Sequence, residues 1–356
     1  MAGGRHRWGR TVRMLGMRHA FGADFDVPPG YLNTASIGIP TAKAAAAVGE
    51  SVSRWASGLD RPGDFDSSVA AARSAFARLV GVPVERVAAG ASAAQLIGLV
   101  AAGLPDGARV LVAEGEFTSV SFPFAAHHDR GISVTEVELA DIPRRAPEFD
   151  LVAVSVVQSG DGRFVDLDAL RDNAGPARVL LDATQAAGWT PLSLDWADWV
   201  VVAAYKWLLA PRGAAWLALG ADSPALRPGN ANWYAGEDPW STTYGLPLRL
   251  AGDARALDLS PTWFSQVGGA VAMEWLAGLD LAEVSRHCTG LANRLREGLG
   301  MPPGDSAIVA VDAPDAVSKL TAAGVACSAR AGRARLSFHL YNTDQDVDLA
   351  LNALRW

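Results

Sequence analysis

The 356-residue chain has few lysines, few cysteines and no long apolar run. Only Lys43, Lys206 and Lys319 are lysines, and the rest of the 31 lysines and arginines are arginines. Two cysteines, Cys288 and Cys327, are too few for a disulfide framework or a cysteine metal cluster, so a reducing, cytoplasmic setting is expected. No apolar run approaches the roughly 18–20 residues of a membrane-spanning helix, so no membrane partner is expected.

Nucleic acids and dinucleotides are disfavoured as ligands. The net charge of -7 argues against a surface for nucleic acid. No G-x-G-x-x-G motif follows a predicted strand, which argues against dinucleotide binding. The acidic loop 58–67 lacks the glycine and the bidentate glutamate of a calcium loop, so no metal site is predicted. Half of the residues are hydrophobic and 19% are charged, as in an ordinary globular protein.

The stretch 178–213 carries the strongest functional signal. Its two short apolar runs, ARVLL and DWVVVAAY, each predict a buried strand. Asp182 ends the first run, Gln185 follows three residues later, and Lys206 ends the second run. Polar groups at the carboxyl ends of strands in an open α/β sheet face the crevice where ligands bind. We therefore expect these side chains to line a ligand site.

Lys206 follows an apolar run in a chain that otherwise prefers arginine. Burial disfavours the charged ammonium, lowers its pKa from about 10.4 and makes the amine nucleophilic. Schiff-base chemistry with pyridoxal phosphate (PLP) needs such an amine and an acidic partner for the pyridinium nitrogen, and Asp182 is the candidate partner. The alternatives are a structural ion pair between Lys206 and Asp182, or a lysine that extends from a strand end into solvent.

The motif D-A-T-Q-A, followed by A-A-Y-K-W-L-L-A-P-R-G, resembles the PLP site of class V aminotransferases, a family that includes cysteine desulfurases and C–S lyases. The resemblance implies a fold-type I PLP-dependent transferase: α/β, with a doubly wound, mostly parallel sheet and a smaller α+β C-terminal domain. It implies that Lys206 forms the Schiff base, that Asp182 pairs with the pyridine nitrogen and that Gln185 bonds the phenolic oxygen. Tyr205 is implied to reach the cofactor phosphate.

The resemblance also implies domain limits and a partner. Residues 1–16 are expected to be a flexible extension, or sequence upstream of a start at Met14 or Met17, without a function. A large PLP-binding domain is expected over 17–256, with 17–42 crossing to a small C-terminal domain over 257–356. A homodimer with shared active sites is implied, in which the aromatic loop 228–250 reaches the partner; a surface Ω-loop packed on its own aromatics is the alternative.

A second cofactor contact is expected where the predicted strand RVAA runs into Gly90, Ala91 and Ser92 and then a helix. Small residues at such a turn let backbone N–H groups approach a phosphate, and the helix N-terminus favours its negative charge. The class V resemblance implies that the PLP phosphate binds here.

Three further contacts are implied by the resemblance alone. Phe117 is implied to stack on the pyridine ring, for which a flat aromatic face suffices; a position in the core is the alternative. Gln158 is implied to contact a cofactor oxygen or the substrate carboxylate. Thr262, or Ser260 in its place, is implied to donate to the phosphate of the partner subunit.

Substrate contacts are implied near both ends of the chain. The segment YLNTASIG resembles the class V opening that crosses the site mouth, which implies Asn33 and Ser36 as substrate neighbours; an ordinary turn is the alternative. The segment RLSFHLYNT resembles a desulfurase ending in which an arginine binds the substrate α-carboxylate, here Arg335. Arg330 and Arg333 are alternatives for that role, and a surface position is the alternative for Arg335.

The chain departs from the cysteine desulfurases at one point. Those enzymes carry a catalytic cysteine on a mobile loop before the carboxylate-binding arginine, whereas Cys327 lies only eight residues before Arg335. A persulfide-forming desulfurase is therefore not expected. We expect a PLP-dependent enzyme acting on an amino acid or amine, with a class V aminotransferase favoured. A lyase (C–S or other β-elimination) or epimerase is the alternative, and a non-catalytic binding relative is the third.

Overall fold

The computed structural model describes residues 16–355, so the predicted extension 1–16 lies outside the described residues except for Gly16. The described chain is built from a large sheet, a small sheet, an N-terminal hairpin and the helices that cover them. The strands are β1 Met17–Ala20, β2 Ala23–Asp26, β3 Val87–Gly90, β4 Arg109–Ala113, β5 Ser133–Val137, β6 Leu151–Ser155, β7 Arg178–Asp182, β8 Trp199–Ala203, β9 Ala215–Leu219, β10 Ile308–Val311, β11 Ser328–Arg330 and β12 Arg333–Ser337.

The helices are amphipathic or largely apolar segments, and several begin at a side chain that caps the first turn. Asp166 and Asp280, for example, each accept a backbone N–H of the helix that follows them. The α-helices are α1 Ala42–Ala56, α2 Asp66–Val80, α3 Ala93–Gly103, α4 Thr118–Ala125, α5 Ile142–Arg145, α6 Leu167–Asn173, α7 Trp263–Leu276, α8 Leu281–Gly298, α9 Ala316–Ala322 and α10 Asp344–Leu354.

The large sheet has seven strands in the order β3-β9-β8-β7-β6-β4-β5. The five strands from β8 to β5 are parallel, and β9 runs antiparallel to both of its neighbours. The predicted α/β fold with a doubly wound, mostly parallel sheet is confirmed. Because parallel strands point the same way, the carboxyl ends of β6, β7 and β8 meet at one edge of the sheet.

Both faces of the large sheet are covered. On β8, Val200 and Val202 belong to the apolar cluster on one face, and Trp199 and Val201 belong to the cluster on the other. Successive side chains of a strand point to opposite faces, so a strand buried on both faces becomes a continuous apolar run. This is why the runs of Val and Leu in the sequence predicted the central strands.

The small sheet is antiparallel, in the order β10-β12-β11, and packs with α8, α9 and α10 around its own apolar cluster. The N-terminal segment joins it: Tyr31 and Asn33 form parallel bridges with Ala326 and Ser337. The first hairpin is attached there too, because Arg18 donates to the Asp346 carboxylate at 2.6 Å.

The sequence from about Val267 to Leu299 predicts one long helix leading into the small domain, and this prediction is wrong. The segment forms α7 and α8, which are separated by a turn over 277–280. Gly278 lies in that turn, and Asp280 begins α8 by accepting a hydrogen bond from the Ala282 backbone N–H at 2.9 Å. A glycine followed by an aspartate N-cap is a helix stop and start signal, which the apolar periodicity on either side had concealed.

The aromatic loop 228–250 contains one short 3₁₀ turn, Trp233–Ala235, and is anchored on Asp66. Tyr234 and Trp240 both donate hydrogen bonds to the Asp66 carboxylate, and the rings of Trp233 and Trp240 lie 5.2 Å apart. The base of the loop therefore packs on its own aromatics. Within residues 16–355, no helix is long and apolar enough to cross a membrane.

Candidate active site

A pocket lies where β7 and β8 end, at the edge of the sheet that the sequence predicted. It encloses about 420 Å³ of space, including its open mouth. Asp182 is the last residue of β7, and Lys206 follows the end of β8 by a short turn. The lining residues come from four segments: Ala91, Ser92, Ala93, Phe117, Ser119, Asp182, Thr184, Ala203, Tyr205, Lys206 and Arg212.

Lys206 is buried, with 6% of its surface exposed. Its Nζ lies 5.2 Å from the centre of the Phe117 ring and 5.6 Å from the centre of the Tyr205 ring. Lys206 forms no salt bridge with Asp182, because within residues 16–355 no carboxylate oxygen lies within 4.0 Å of its Nζ. Both alternatives for Lys206, a structural ion pair and a solvent-directed side chain, are therefore wrong.

The electrostatic surroundings favour the neutral amine of Lys206. Burial lowers its pKa to about 8, and the charge of Asp182 opposes this only in part. Repulsion from three arginines, in the order Arg335, Arg330 and Arg212, contributes to this lowering of the pKa. A lysine in this range has a substantial neutral fraction near physiological pH, as a nucleophilic amine requires.

Asp182 is a buried carboxylate whose Oδ1 accepts the Thr184 backbone N–H at 2.9 Å. Burial raises its pKa, while the hydrogen bonds from Thr184 and the charge of Lys206 oppose that rise. The Thr184 hydroxyl accepts the Ala203 backbone N–H at 3.0 Å, which ties the end of β7 to the end of β8. Asp182 is thereby fixed in the pocket wall, where it can pair with a positively charged ring nitrogen.

The N-terminus of α3 forms another wall. Ser92 is its N-cap and accepts the Gln95 backbone N–H at 3.3 Å, and the Gln95 side chain accepts the Ala91 N–H at 3.2 Å. A side chain at Gly90 would meet Gln95 and Leu96 at less than 3.0 Å, so only glycine fits. The first N–H groups of a helix have no acceptor within it, so this end of the pocket suits an anion.

Arg212 adds a cation to the lining of the pocket. The Arg212 guanidinium lies 5.0 Å from the centre of the Tyr205 ring, and both side chains line the pocket. An arginine stacked on an aromatic ring is held in one orientation, which leaves its donors available to an anionic group. Arg212 was not among the residues predicted from the sequence.

Phe117 lines the pocket with 40% of its surface exposed, so the alternative of a core position is wrong. The residue before it, Glu116, is buried and accepts four hydrogen bonds: from the backbone N–H groups of Phe117 and Ser155, from the Ser155 hydroxyl and from the Gln158 amide. These bonds fix the backbone from which Phe117 projects. Gln158 holds Glu116 and does not line the pocket, so its implied contact stays a prediction.

Gln185 lies behind the pocket wall. Its Oε1 accepts the Trp207 indole N–H at 2.7 Å, and its Nε2 donates to the Ala35 carbonyl at 3.1 Å and to the Ser159 hydroxyl at 3.2 Å. All these partners belong to the protein. The implied contact with the phenolic oxygen of the cofactor stays a prediction, and it requires the amide to exchange one of these partners.

Arg335, on β12, is 1% exposed, so the alternative of a surface arginine is wrong. Its guanidinium donates to three serines: to the Ser328 hydroxyl at 3.1 Å, to the carbonyl and hydroxyl of Ser159 at 2.6 and 3.0 Å, and to the Ser36 hydroxyl at 2.7 Å. Burial, together with repulsion from Arg330, lowers its pKa to about 10. No carboxylate forms an ion pair with it within residues 16–355, so its charge is available to a ligand.

The segment 33–38 closes over these groups. Ser36 contacts Arg335, as expected for a residue near the substrate. Asn33 is partly buried, and its Oδ1 has no hydrogen-bond partner within the described chain. A Cβ at Gly38 would lie 2.0 Å from the Lys206 carbonyl oxygen, so glycine is required where this segment crosses the lysine turn.

Thr262 precedes α7, and its hydroxyl donates to the Gly213 carbonyl at 2.6 Å. Ser260 is exposed nearby. Neither residue lines the pocket. The implied donation to the phosphate of a partner subunit stays a prediction for both.

Cys327 supports the departure from the desulfurases. It directly precedes β11, and the hairpin of β11 and β12 fills the whole distance to Arg335. Cys327 is partly buried, and burial raises the pKa of its thiol, which disfavours the reactive thiolate. No group of three or more potential metal ligands occurs between residues 16 and 355.

No family model matches the chain. A protein of Bacillus subtilis (strain 168) named uncharacterized aminotransferase YcbU is 26% identical over 309 residues, which cover 80% of this chain and 82% of the relative. The apo cysteine desulfurase of Thermococcus onnurineus NA1 superposes with a TM-score of 0.79 at 18% identity, over 91% of this chain and 93% of that one. The cystine C–S lyase C-DES superposes with a TM-score of 0.81 at 19% identity, over 92% of this chain and 97% of that one.

This chain has the cysteine desulfurase fold. The expected resemblance to the class V aminotransferase and cysteine desulfurase-like group is confirmed by the aminotransferase relative and by these superpositions over nine-tenths of the chain. Within this fold group, the structure brings Lys206, Asp182 and Phe117 into one pocket, as the motifs predicted.

The sequence reasoning missed five polar residues of the site. Thr184 and Arg212 lie inside the quoted motifs D-A-T-Q-A and L-L-A-P-R-G, so their proximity to Asp182 and Lys206 was a usable signal. Ser119 follows Phe117 by two residues. Ser159 and Ser328 reach Arg335 only through the tertiary fold, and no local pattern marked them.

Proposed function

We propose that the chain is a PLP-dependent enzyme of the class V aminotransferase type that acts on an amino acid. The observation that carries this proposal is Lys206, a buried amine with a pKa of about 8 in a pocket that also holds a buried carboxylate and a helix N-terminus. A non-catalytic relative would have no use for a desolvated lysine, because burying an ammonium without a direct partner is unfavourable.

The donor set fits the cofactor from end to end. Asp182 would hold the pyridine nitrogen, and Phe117 would cover the ring face. Tyr205, Arg212 and the N-terminus of α3 offer a phenol, a guanidinium and backbone N–H groups for a phosphate. The roles of Gln158, Gln185 and Thr262 are proposed on the resemblance alone.

Each group has a defined task in the proposed reaction. When bound, PLP would supply an electron sink for a bond broken at the substrate Cα. Lys206 would hold the cofactor through Nζ and, when its amine is free, would carry a proton to or from the substrate, since a pKa of about 8 lets the amine accept and donate a proton near neutral pH. Arg335, with Ser36 at its guanidinium, would orient the substrate carboxylate.

We further propose a cytoplasmic homodimer with shared active sites. The tip of the loop 228–250 supports it, since Tyr244 and Leu246 are about nine-tenths exposed (91% and 90%). Apolar side chains that project this far are typical of an interface. The substrate would be a small molecule, and neither nucleic acid nor membrane is a proposed partner.

A lyase or epimerase is the second candidate. It is favoured by the C–S lyase C-DES as a structural neighbour. The absence of a cysteine loop before Arg335 leaves thiol-independent chemistry, which is open to both candidates. The two candidates differ in their products. An aminotransferase needs an oxo-acid acceptor, whereas a β-eliminating lyase releases ammonia without one.

The test is the absorption spectrum of the purified protein with PLP, before and after borohydride, followed by mass spectrometry of the Lys206 peptide. A yellow protein whose Lys206 peptide gains a reduced pyridoxyl phosphate supports the proposal, and product analysis with and without an oxo acid then separates the two candidates. A colourless protein that ignores added PLP contradicts it and favours the binding relative.

A further inference from the structure

The hairpin of β11 and β12 presents a row of arginines on the face that carries Arg335. In its register, Ser328 lies opposite Arg335 and Arg330 lies opposite Arg333. Alternate residues of a strand face the same side, so Arg330 shares a face with Ser328, and Arg333 with Arg335. The hydrogen bond from Arg335 Nε to the Ser328 hydroxyl shows that the two strands point these side chains to a common side.

The charge of Arg330 is not neutralised within residues 16–355. Arg333 lies 3.8 Å from Asp161, which also pairs with Arg163 at 2.9 Å. Arg330 forms no ion pair in the described chain, and its hydrogen bond goes to the carbonyl of its own neighbour, Ala329, at 2.7 Å. An arginine that bonds only to the adjacent backbone keeps most of its guanidinium N–H donors free.

Arg330 nevertheless acts on the site. In the register of β11 and β12 it is the diagonal neighbour of Arg335 on the same face, and its charge lowers the pKa of both Lys206 and Arg335. Lys206 and Arg212 line the pocket, and Arg335 and Arg330 add positive charge on one face of the β11–β12 hairpin, whereas Asp182 is the only acidic residue of the pocket lining within residues 16–355. Such an excess of positive charge attracts a ligand with more than one negative group.

The three arginines differ in position. Arg212 lines the pocket near the N-terminus of α3, and Arg335 is buried beneath the serines that contact it. Arg330 is exposed at the edge of the site. A group bound by Arg330 therefore lies nearer to solvent than a carboxylate bound by Arg335.

We propose that Arg330 is a second anion-binding side chain of the site and that the substrate is an amino acid whose side chain carries an acidic group. This inference rests on the proposed function for the identity of the reacting group. The guanidinium of Arg330 would form a charge-assisted hydrogen bond with the side-chain acid, while Arg335 binds the α-carboxylate. A neutral side chain would leave Arg330 unpaired and would bind less tightly.

The first test uses spectral titration of the PLP-loaded protein with matched pairs, L-aspartate against L-asparagine and L-glutamate against L-glutamine. At least one acidic member should bind at least about tenfold more tightly than its amide, since a partly exposed charged pair adds about this much. Arg330→Gln should abolish the preference. Arg163→Gln removes the same charge from an exposed arginine nearby and should keep it. Equal binding of acid and amide, or a preference that survives Arg330→Gln, overturns the inference.

A second test does not depend on the cofactor. Calorimetry on the protein without PLP compares glutarate with butyrate, which differ by one carboxylate. A tenfold preference for glutarate that is lost in Arg330→Gln and kept in Arg163→Gln supports the inference, and equal or undetectable binding of both overturns it. If the protein does not take up PLP, the proposed function is contradicted, and this experiment still decides the role of Arg330. If the protein is yellow but shows no preference for the acidic ligand, only the inference about Arg330 is contradicted.

Discussion

Two pairs of opposite charge are buried beside the large sheet, and they are built in opposite ways. Arg73 and Asp258 form a bidentate salt bridge at 3.0 and 2.6 Å, and Asp258 also accepts the Ala89 backbone N–H at 2.7 Å. Lys206 and Asp182 are equally buried but do not touch. The first pair satisfies its own hydrogen-bonding groups, whereas the second leaves an amine and a carboxylate to a ligand. The absence of direct pairing at equal burial is what distinguishes the functional pair from the structural one.

The sharpest test of this comparison is Lys206→Ala. The variant should lose the covalent link to PLP and at least about 10³-fold in turnover, because it removes both the attachment point and the proton carrier. Its cofactor-free form should unfold at a temperature no lower than the wild type, because it no longer buries an amine. Borohydride labelling, turnover and thermal unfolding measure these outcomes. Lys43→Ala, at an exposed lysine, is the control, and retained turnover in Lys206→Ala would reject the role of this lysine.

Arg73→Met should instead reduce the stability of the fold. Breaking a buried, fully bonded pair leaves Asp258 buried and unpaired, and we expect a loss of about 3–5 kcal/mol in the free energy of unfolding. Urea unfolding of the cofactor-free protein measures this loss. Arg78→Met, at an exposed arginine on the same helix, should change the free energy by less than about 0.5 kcal/mol. A similarly small loss in Arg73→Met would remove the contrast between the two pairs.

The pH dependence of stability separates the pairs further. The pKa of Lys206 is about 8 in the folded protein, against about 10.4 in an unfolded chain. Between these values the unfolded state binds a proton that the folded state does not, so the free energy of unfolding rises with pH. Relative to Lys206→Met, the cofactor-free wild type should gain up to about 3 kcal/mol from pH 8 to pH 10.4. A pH-independent difference between the two proteins would mean that the amine is not desolvated.

Arg335 is a third buried cation, and it bonds to serines and a carbonyl instead of a carboxylate. Like Lys206, it should therefore affect ligand binding when it is replaced. Arg335→Gln should raise the KM for a carboxylate substrate by about 10–100-fold, the effect of losing a charge-assisted pair. Steady-state kinetics measure the change, and Arg163→Gln should leave KM unaltered. An unchanged KM in Arg335→Gln would indicate an amine substrate or another arginine.

The sequence predicted the parts of this site that lie close together along the chain. Asp182 and Lys206 end two buried strands, and parallel strands bring their carboxyl ends to one edge, so local pattern and topology together placed both residues. The same reasoning located β3, β7 and β8. Arg335 depended on the resemblance, because nothing in a β-hairpin pattern alone marks one of several arginines as buried.

Other features of the site and fold were not predicted from local sequence patterns. The partners of Arg335, Ser36 and Ser159, are 299 and 176 residues away along the chain, and serines are too common to be singled out. Gln185 and Gln158 were predicted to contact the ligand, but the side-chain amide of each bonds to protein groups in the structure. Whether an amide bonds to ligand or protein depends on its orientation, which local sequence does not determine. The break between α7 and α8 was readable from Gly278 and Asp280, and it was missed because helix-forming apolar residues continue on both sides of it.

The way the N-terminal segment is joined to β12 and α10 has a consequence for biosynthesis. Arg18 and Gly30 both bond to Asp346, and Ser36 bonds to Arg335, so contacts that span about three hundred residues complete the site. A nascent chain on the ribosome cannot form them until β12 and the start of α10 have emerged. Contacts of such high sequence separation form slowly, and until then the apolar faces that they cover stay exposed. The newly made protein should therefore depend on chaperones for longer than a chain whose active site closes within one local unit.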